Sequence, residues 1–198
     1  TALAALASLA FGTVSLTPDR VIAALLGKGD PIASTIVLDL RMPRMLLGLL
    51  VGAMLGLVGA ALQGFLRNPL AEPSVLGASN AAALGAVIAL YFGIAELHPA
   101  LLPLLAIAAA MIALVLLFGL SGQSESALTL ILAGIAIATL AGAGISLALN
   151  LSPNPFAAME IMSWLLGSLE NRSSQHVWIA LPCIVVGGAL LLWDARAL

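Results

Sequence analysis

Six apolar runs separated by short polar clusters make up most of the chain. Thr1–Leu16, Met45–Leu66, Val75–Ala95, Pro99–Leu120, Leu128–Leu149 and Val177–Trp193 carry no charged residue. A bilayer core about 30 Å thick takes roughly 20 apolar residues as a helix. A helix also satisfies its own backbone in lipid. The pattern therefore predicts six membrane-spanning helices and an all-α, polytopic transmembrane bundle.

The polar clusters differ in character. Thr17-Pro18-Asp19-Arg20 reads as an N-cap, a first-turn proline and an acidic first turn. A short helix through Leu26 is expected after it, closed by Gly27 and Gly29. Gly119 to Ser126 is a tight polar turn, with Ser126 expected to cap the fifth span. Asn150 to Pro155 breaks that span. The stretch Ala157–Leu169 that follows is too short and too polar to cross a bilayer. Ile161, Trp164 and Leu165 share one helical face there, which predicts a helix lying along the membrane surface. Within the second span Gly48, Gly52 and Gly56 recur at intervals of four, followed by Gly59. Such a ladder lets another backbone approach closely. It is read as packing within the chain, with a homodimer seam as the other reading.

Composition agrees with this pattern. The chain has 198 residues, 62% hydrophobic and 8% charged, whereas soluble domains carry about a quarter charged residues. Membrane lipid must then cover most of the surface. A net charge of −2 gives no footprint for nucleic acid and no polybasic anchor. The single cysteine, Cys183, rules out an internal disulfide and is expected to pack as a small apolar side chain. Lys28 stands between two glycines but lacks the rest of a phosphate-binding loop. His98 and His176 are isolated near span ends. No cluster of histidine and carboxylate points to a metal or to nucleophilic catalysis, so neither a metal, a cofactor nor an intramembrane enzyme is called for.

The joint after the second span, RNPLAEPSVLGASN from Arg67 to Asn80, is unusual. Asn68 is placed to cap a turn that begins at Pro69. Pro73 pushes Glu72 toward an extended backbone. Glu72 needs a partner, with Arg67 or backbone amides as the candidates. The chain cannot run straight from span to span, and its freed backbone groups need protein or a water-filled cavity. One reading is a polar loop at the membrane surface. The other is a segment folded back toward a transport pathway, with Gln63, Asn68, Pro69, Glu72, Pro73, Ser79 and Asn80 along it.

Arg41-Met42-Pro43-Arg44 before the glycine-rich span, then Gln63, then the joint itself, resembles the FecCD-type permeases of binding-protein-dependent ABC importers. These carry iron chelates (siderophores, haem) or cobalamin. Leu132-Ala133-Gly134 and the stretch from Trp164 to Leu169 are similar too, so the resemblance covers essentially the whole chain. It implies one transmembrane permease domain over residues 1–198, with about six of an expected ten spans. The chain is thus expected to be the N-terminal portion of a longer permease, shortened at both ends.

The resemblance further implies four partners: lipid, a second permease subunit (the same or different), a cytoplasmic ATP-binding cassette ATPase and an extracytoplasmic substrate-binding protein. Arg41 and Arg44 match the arginine pair that receives acidic residues of the binding protein; arginine suits carboxylate because its fork is planar and always charged. The turn from Ser124 to Ala127 resembles the cytoplasmic gate, with Ser126 and Ala127 as the gate residues. The fifth span would line the pathway, with Thr139, Ser146 and Asn150 as sparse polarity. The implied site is the inner membrane of a bacterium, with the N-terminus in the cytoplasm. That orientation puts Arg20, Lys28, Arg41, Arg44 and Arg172 outside and Arg67 and Arg196 inside, against the positive-inside preference. The alternative function is a secondary transporter driven by an ion gradient, hinted at only by Gln63 and the Glu72 segment. A purely structural membrane subunit is a further reading, which copurification with an ATPase would exclude.

Overall fold

The computed structural model describes residues 2–12, 14–98, 100–122, 126–170 and 172–194. Helix accounts for about four fifths of them, and no strand occurs among the described residues. The chain packs as two compact units, Thr1–Ala61 with Leu169–Leu198, and Leu62–Ser168.

In the first unit, α1 (Ala2–Ala10) is followed by α2 (Pro18–Leu25), which begins as expected at an extended Thr17 with Pro18 in the first turn. Hydrogen bonds from the Thr17 side chain and from backbone amides hold the exposed Asp19 carboxyl below its ordinary pKa. Gly27 takes a left-handed φ of 70° and ends this helix. Asp30 then accepts a hydrogen bond from Ala33 N at 2.7 Å and starts α3 (Pro31–Ser34). The helix does not stop there. It widens into a π segment over Thr35–Arg41 and continues as α4 (Met42–Leu66). A proline inside an α-helix lacks a donor and clashes with the carbonyl four residues back; here the widened turns directly precede Pro43. Leu9, Leu16, Val21, Ala24, Ala33 and Val37 form the core, and α10 (Ser174–Asp194) completes the unit.

The second unit holds the end of α4, a 3₁₀ turn at Pro73–Leu76, α5 (Ala78–Tyr91), α6 (Ile94–Leu97), α7 (Leu101–Ser121), α8 (Ala127–Asn150) and α9 (Pro155–Leu166). Helix α5 lies against α7 and α8, around a core of Ala81, Ala113, Leu117, Leu130 and Ile137. Gly85 permits that closeness, since a Cβ there would meet Leu105 O at 2.5 Å. Tyr91 Oη donates to Leu151 O at 2.9 Å and ties the end of α5 to the end of α8.

Among the described residues, four helical segments are long and apolar enough to cross a membrane: Pro31–Leu66, Leu101–Ser121, Ala127–Asn150 and Ser174–Asp194. Their outward faces are greasy, with Val115, Leu140 and Trp193 all exposed. Four of the expected spans are thus recovered, and the one expected over Met45–Leu66 is much lengthened, to 36 residues. The other two runs hold shorter helices. The first is helical only from Ala2 to Ala10. The third is cut by left-handed glycines, Gly77 and Gly93, which leave α5 with 14 residues. At 1.5 Å per residue that is about 21 Å, short of a hydrocarbon core.

The break after α8 is as expected: Asn154 accepts from Ala157 N at 2.9 Å and starts α9. Ile161 is fully buried against the protein, but Phe156 and Leu166 stand 82% and 86% exposed on another side. Helix α9 is therefore apolar on two faces, where the sequence pattern shows one. Cys183 is exposed rather than packed.

Candidate functional site

Two polar constructions stand out against this apolar background, one in each unit. In the second unit, the joint after α4 is knitted by its own side chains. Arg67 takes a left-handed φ of 48°, which turns the chain out of the helix. Gln63 Nε2 donates to Pro69 O at 3.0 Å. Asn68 Oδ1 accepts from Leu70 N at 2.9 Å, and Ala71 N donates to Asn68 O at 3.1 Å. Gln63, Asn68 and Pro69 are thus brought together, and Asn68 caps the expected turn. Glu72 is extended, at φ −135° and ψ 157°, as Pro73 dictates. Its carboxylate accepts from the Ser74 hydroxyl, a partner that the sequence reading did not name.

From Pro73 onward the joint is seated on α8. A Cβ on Gly134 would lie 2.1 Å from Val75 O, and one on Gly77 would lie 2.7 Å from Gly134 O. Backbone meets backbone with no side chain between them. Asn80 Nδ2 adds a hydrogen bond of 3.3 Å to Ala138 O. Ser79 is exposed in the first turn of α5. An open groove of about 450 Å³ runs beside this contact, with Ser74, Val75 and Asn80 on one wall and Ile131, Ile135, Ala138 and Thr139 on the other. The Thr139 hydroxyl donates back to Ile135 O at 2.8 Å, and Asn150 likewise donates to Ser146 O at 2.8 Å. The groove therefore offers mostly hydrocarbon, with the Asn80 amide as its polar edge.

At the start of α8, Ser126 holds the N-cap position with an extended backbone but makes no side-chain cap bond, and Ala127 is the first helical residue. The sequence reading had Ser126 as the cap; the helix begins there without that bond. Ser124 lies outside the described residues. Gly77 and Gly134 carry the contact between joint and helix, and sequence reasoning assigned neither. Both lie in motif stretches, but nothing in a sequence tells which glycine faces which backbone.

In the first unit, Arg41 and Arg44 sit one helical turn apart but differ sharply. Arg41 is 9% exposed. Its Nη1 donates to Leu9 O at 2.7 Å and Ala10 O at 2.9 Å, and its Nη2 to Val14 O. These are the carbonyls at and just past the end of α1, the negative end of that helix. Arg44 is exposed. A cleft of about 210 Å³ joins them, lined by Ser8, Phe11, Gly12, Arg41, Arg44 and Glu170 among others. Along α4, Gly48 approaches Leu169 Cδ1, at 3.6 Å from an added Cβ, while Gly52, Gly56 and Gly59 face open space. His98 and His176 hold local turns: their Nδ1 atoms accept from Ala100 N at 3.1 Å and Ser173 N at 3.2 Å.

The model of the FecCD transport family matches residues 1–198. The chain belongs to the FecCD transport family. Among FecCD relatives, the uncharacterized ABC transporter permease protein YvrB of Bacillus subtilis (strain 168) is 41% identical over 181 residues, 87% of this chain and 50% of its own length. The cobalamin import system permease protein BtuC of Halobacterium salinarum is 41% identical over 170 residues, 83% of this chain and 44% of its own. A solved chain described as an inward-facing conformation of a metal-chelate type ABC transporter superposes with a TM-score of 0.85 at 30% identity, over 98% of this chain and 58% of that one. The chain spans about half the length of the curated FecCD relatives it matches. Both relatives are named as permease proteins, and this chain is a multi-pass membrane protein.

Proposed function

We propose that this chain works as part of a permease subunit of an ABC importer, giving passage to an iron chelate (siderophore or haem) or to cobalamin. The observation that carries the reading is the seated joint: a proline-bearing segment, unusual in so apolar a chain, packed backbone to backbone on an uncharged helix beside an open groove. Substrate arrives on a binding protein and energy comes from a separate ATPase, because no residue here binds nucleotide by the loop chemistry described above. A second permease subunit completes the pathway, in the inner membrane of a bacterium. Cobalamin and metal chelates are the cargo classes of the named relatives, and both are bulky. A mostly hydrocarbon groove suits them, since it passes a large ligand without holding it.

The pathway side is assigned to Gln63, Asn68, Pro69, Glu72, Pro73, Ser79 and Asn80, with Ser126 and Ala127 at the gate. Arg44, exposed on α4, receives a carboxylate of the binding protein. Such a rim charge sets encounter rate and orientation. The glycine ladder of α4 serves helix packing in the whole permease.

The test is reconstitution of the full-length permease with its ATPase and binding protein in proteoliposomes. Uptake of labelled ferric siderophore, haem or cobalamin is expected only with ATP and the binding protein. Uptake that follows an ion gradient without ATP would make it a secondary transporter instead.

A further inference from the structure

We infer that Arg41 is a positioning residue which builds the cleft from which Arg44 acts, with Gly12 as its partner; this rests on the docking reading of Arg44 given above. Three N–H groups of the Arg41 guanidinium are committed to Leu9, Ala10 and Val14 carbonyls. An incoming carboxylate would have to take the fork away from them, leaving polar groups unpaired at a buried site, which is costly. Gly12 lies over the guanidinium: an added Cβ would sit 2.8 Å from Nη2, 3.2 Å from Cζ and 3.4 Å from Nε. The bare backbone of Gly12 is thus one wall of the guanidinium's seat.

The same atoms line the cleft that contains Arg44, together with Ser8, Phe11 and the Glu170 carboxyl. Arg41 fastens the end of α1 to the end of the π segment. Arg44 lies three residues further on, so its position relative to Ser8 and Phe11 follows from that fastening. The pair divides one task. Arg44 supplies the charge that a carboxylate meets, and Arg41 sets the shape of the opening around it.

The experiment measures binding-protein kinetics on the full-length permease with its ATPase in nanodiscs, across a range of salt. The probe is the binding protein that drives ATP-dependent uptake in the reconstituted importer. Arg44→Gln is expected to slow association about tenfold at low salt and to flatten its salt dependence. Gly12→Ala keeps both arginines, and Arg41→Lys keeps the charge but not the planar fork. Both are expected to leave the salt slope unchanged while dissociation quickens about tenfold.

Wild-type dissociation in Gly12→Ala, or full rescue by Arg41→Lys, would overturn the inference, because a docking cation tolerates lysine. A spin-label pair at Ser8 and Leu49, in a Cys183→Ala background, reads the placement of α1 against α4 without any partner. Its distance distribution is expected to broaden in Gly12→Ala, and an unchanged distribution would count equally against the role of Arg41. If Arg44→Gln alone changes nothing, the docking reading fails while the spin-label result still judges the positioning of α1.

Discussion

A single methyl group separates the two kinds of glycine in this chain. At Gly134 it would be driven into Val75 O at 2.1 Å, whereas at Gly52 it would meet nothing within 4 Å. Backbone cannot swing aside as a side chain does, so Gly134→Ala is expected to cost about 3 kcal/mol through overpacking. In residues 1–198 alone, where nothing covers Gly52, Gly52→Ala is expected to gain ~0.5 kcal/mol from the lower flexibility of the unfolded chain. Thermal unfolding of the two variants in detergent checks the contrast, and equal midpoints would refute it. The sequence does not sort these positions. Spacing by four makes Gly48, Gly52 and Gly56 conspicuous, yet the closest backbone contacts fall on glycines with no such rhythm. The arginines teach the same lesson. Arg41 and Arg44 look equivalent in the motif, and only three-dimensional placement buries one against carbonyls and leaves the other exposed.

At the level of elements, hydrophobic runs predict helices well and their lengths less well. The ends of α7, α8 and α10 fall within a few residues of the apolar runs that announce them. The failures have local causes. Asp39 and Arg41 interrupt the apolar pattern, so the run is read as starting at Met45, but a π segment carries the helix through both and back to Pro31. Gly77 and Gly93 sit inside an uninterrupted apolar run, and their left-handed φ angles end a helix that composition alone would continue. The short α5 is held instead by its neighbours. Loss of its terminal tie, in Tyr91→Phe, is expected to lower stability by about 1 kcal/mol. Equilibrium unfolding would show this, and a null effect would mean that the hydroxyl does not hold the Leu151 carbonyl.

For the whole molecule, the charge distribution and the family resemblance point opposite ways on orientation. Arg20, Lys28, Arg41, Arg44 and Arg172 outnumber Arg67 and Arg196, of which Arg196 lies outside the described residues. The resemblance implies that the larger group lies outside, and the expected labelling follows that implication. Impermeant maleimide on intact cells is expected to label Arg44→Cys directly and Ser126→Cys only after permeabilisation, with Cys183→Ala as background. The reverse order would invert the assigned topology. The membrane class and family of this chain were legible from hydropathy and one ordered motif. Its division into two units was not, because one boundary falls within a single uninterrupted helix, α4, and the other returns Leu169–Leu198 to the first unit.

The seat of the joint on α8 has a mechanical corollary. Where a side chain lies between two elements it can change rotamer and absorb small displacements; between Val75 and Gly134 there is no such cushion. A tilt of α8 at that level drags the proline-bearing elbow with it, ångström for ångström, so the two behave as one lever.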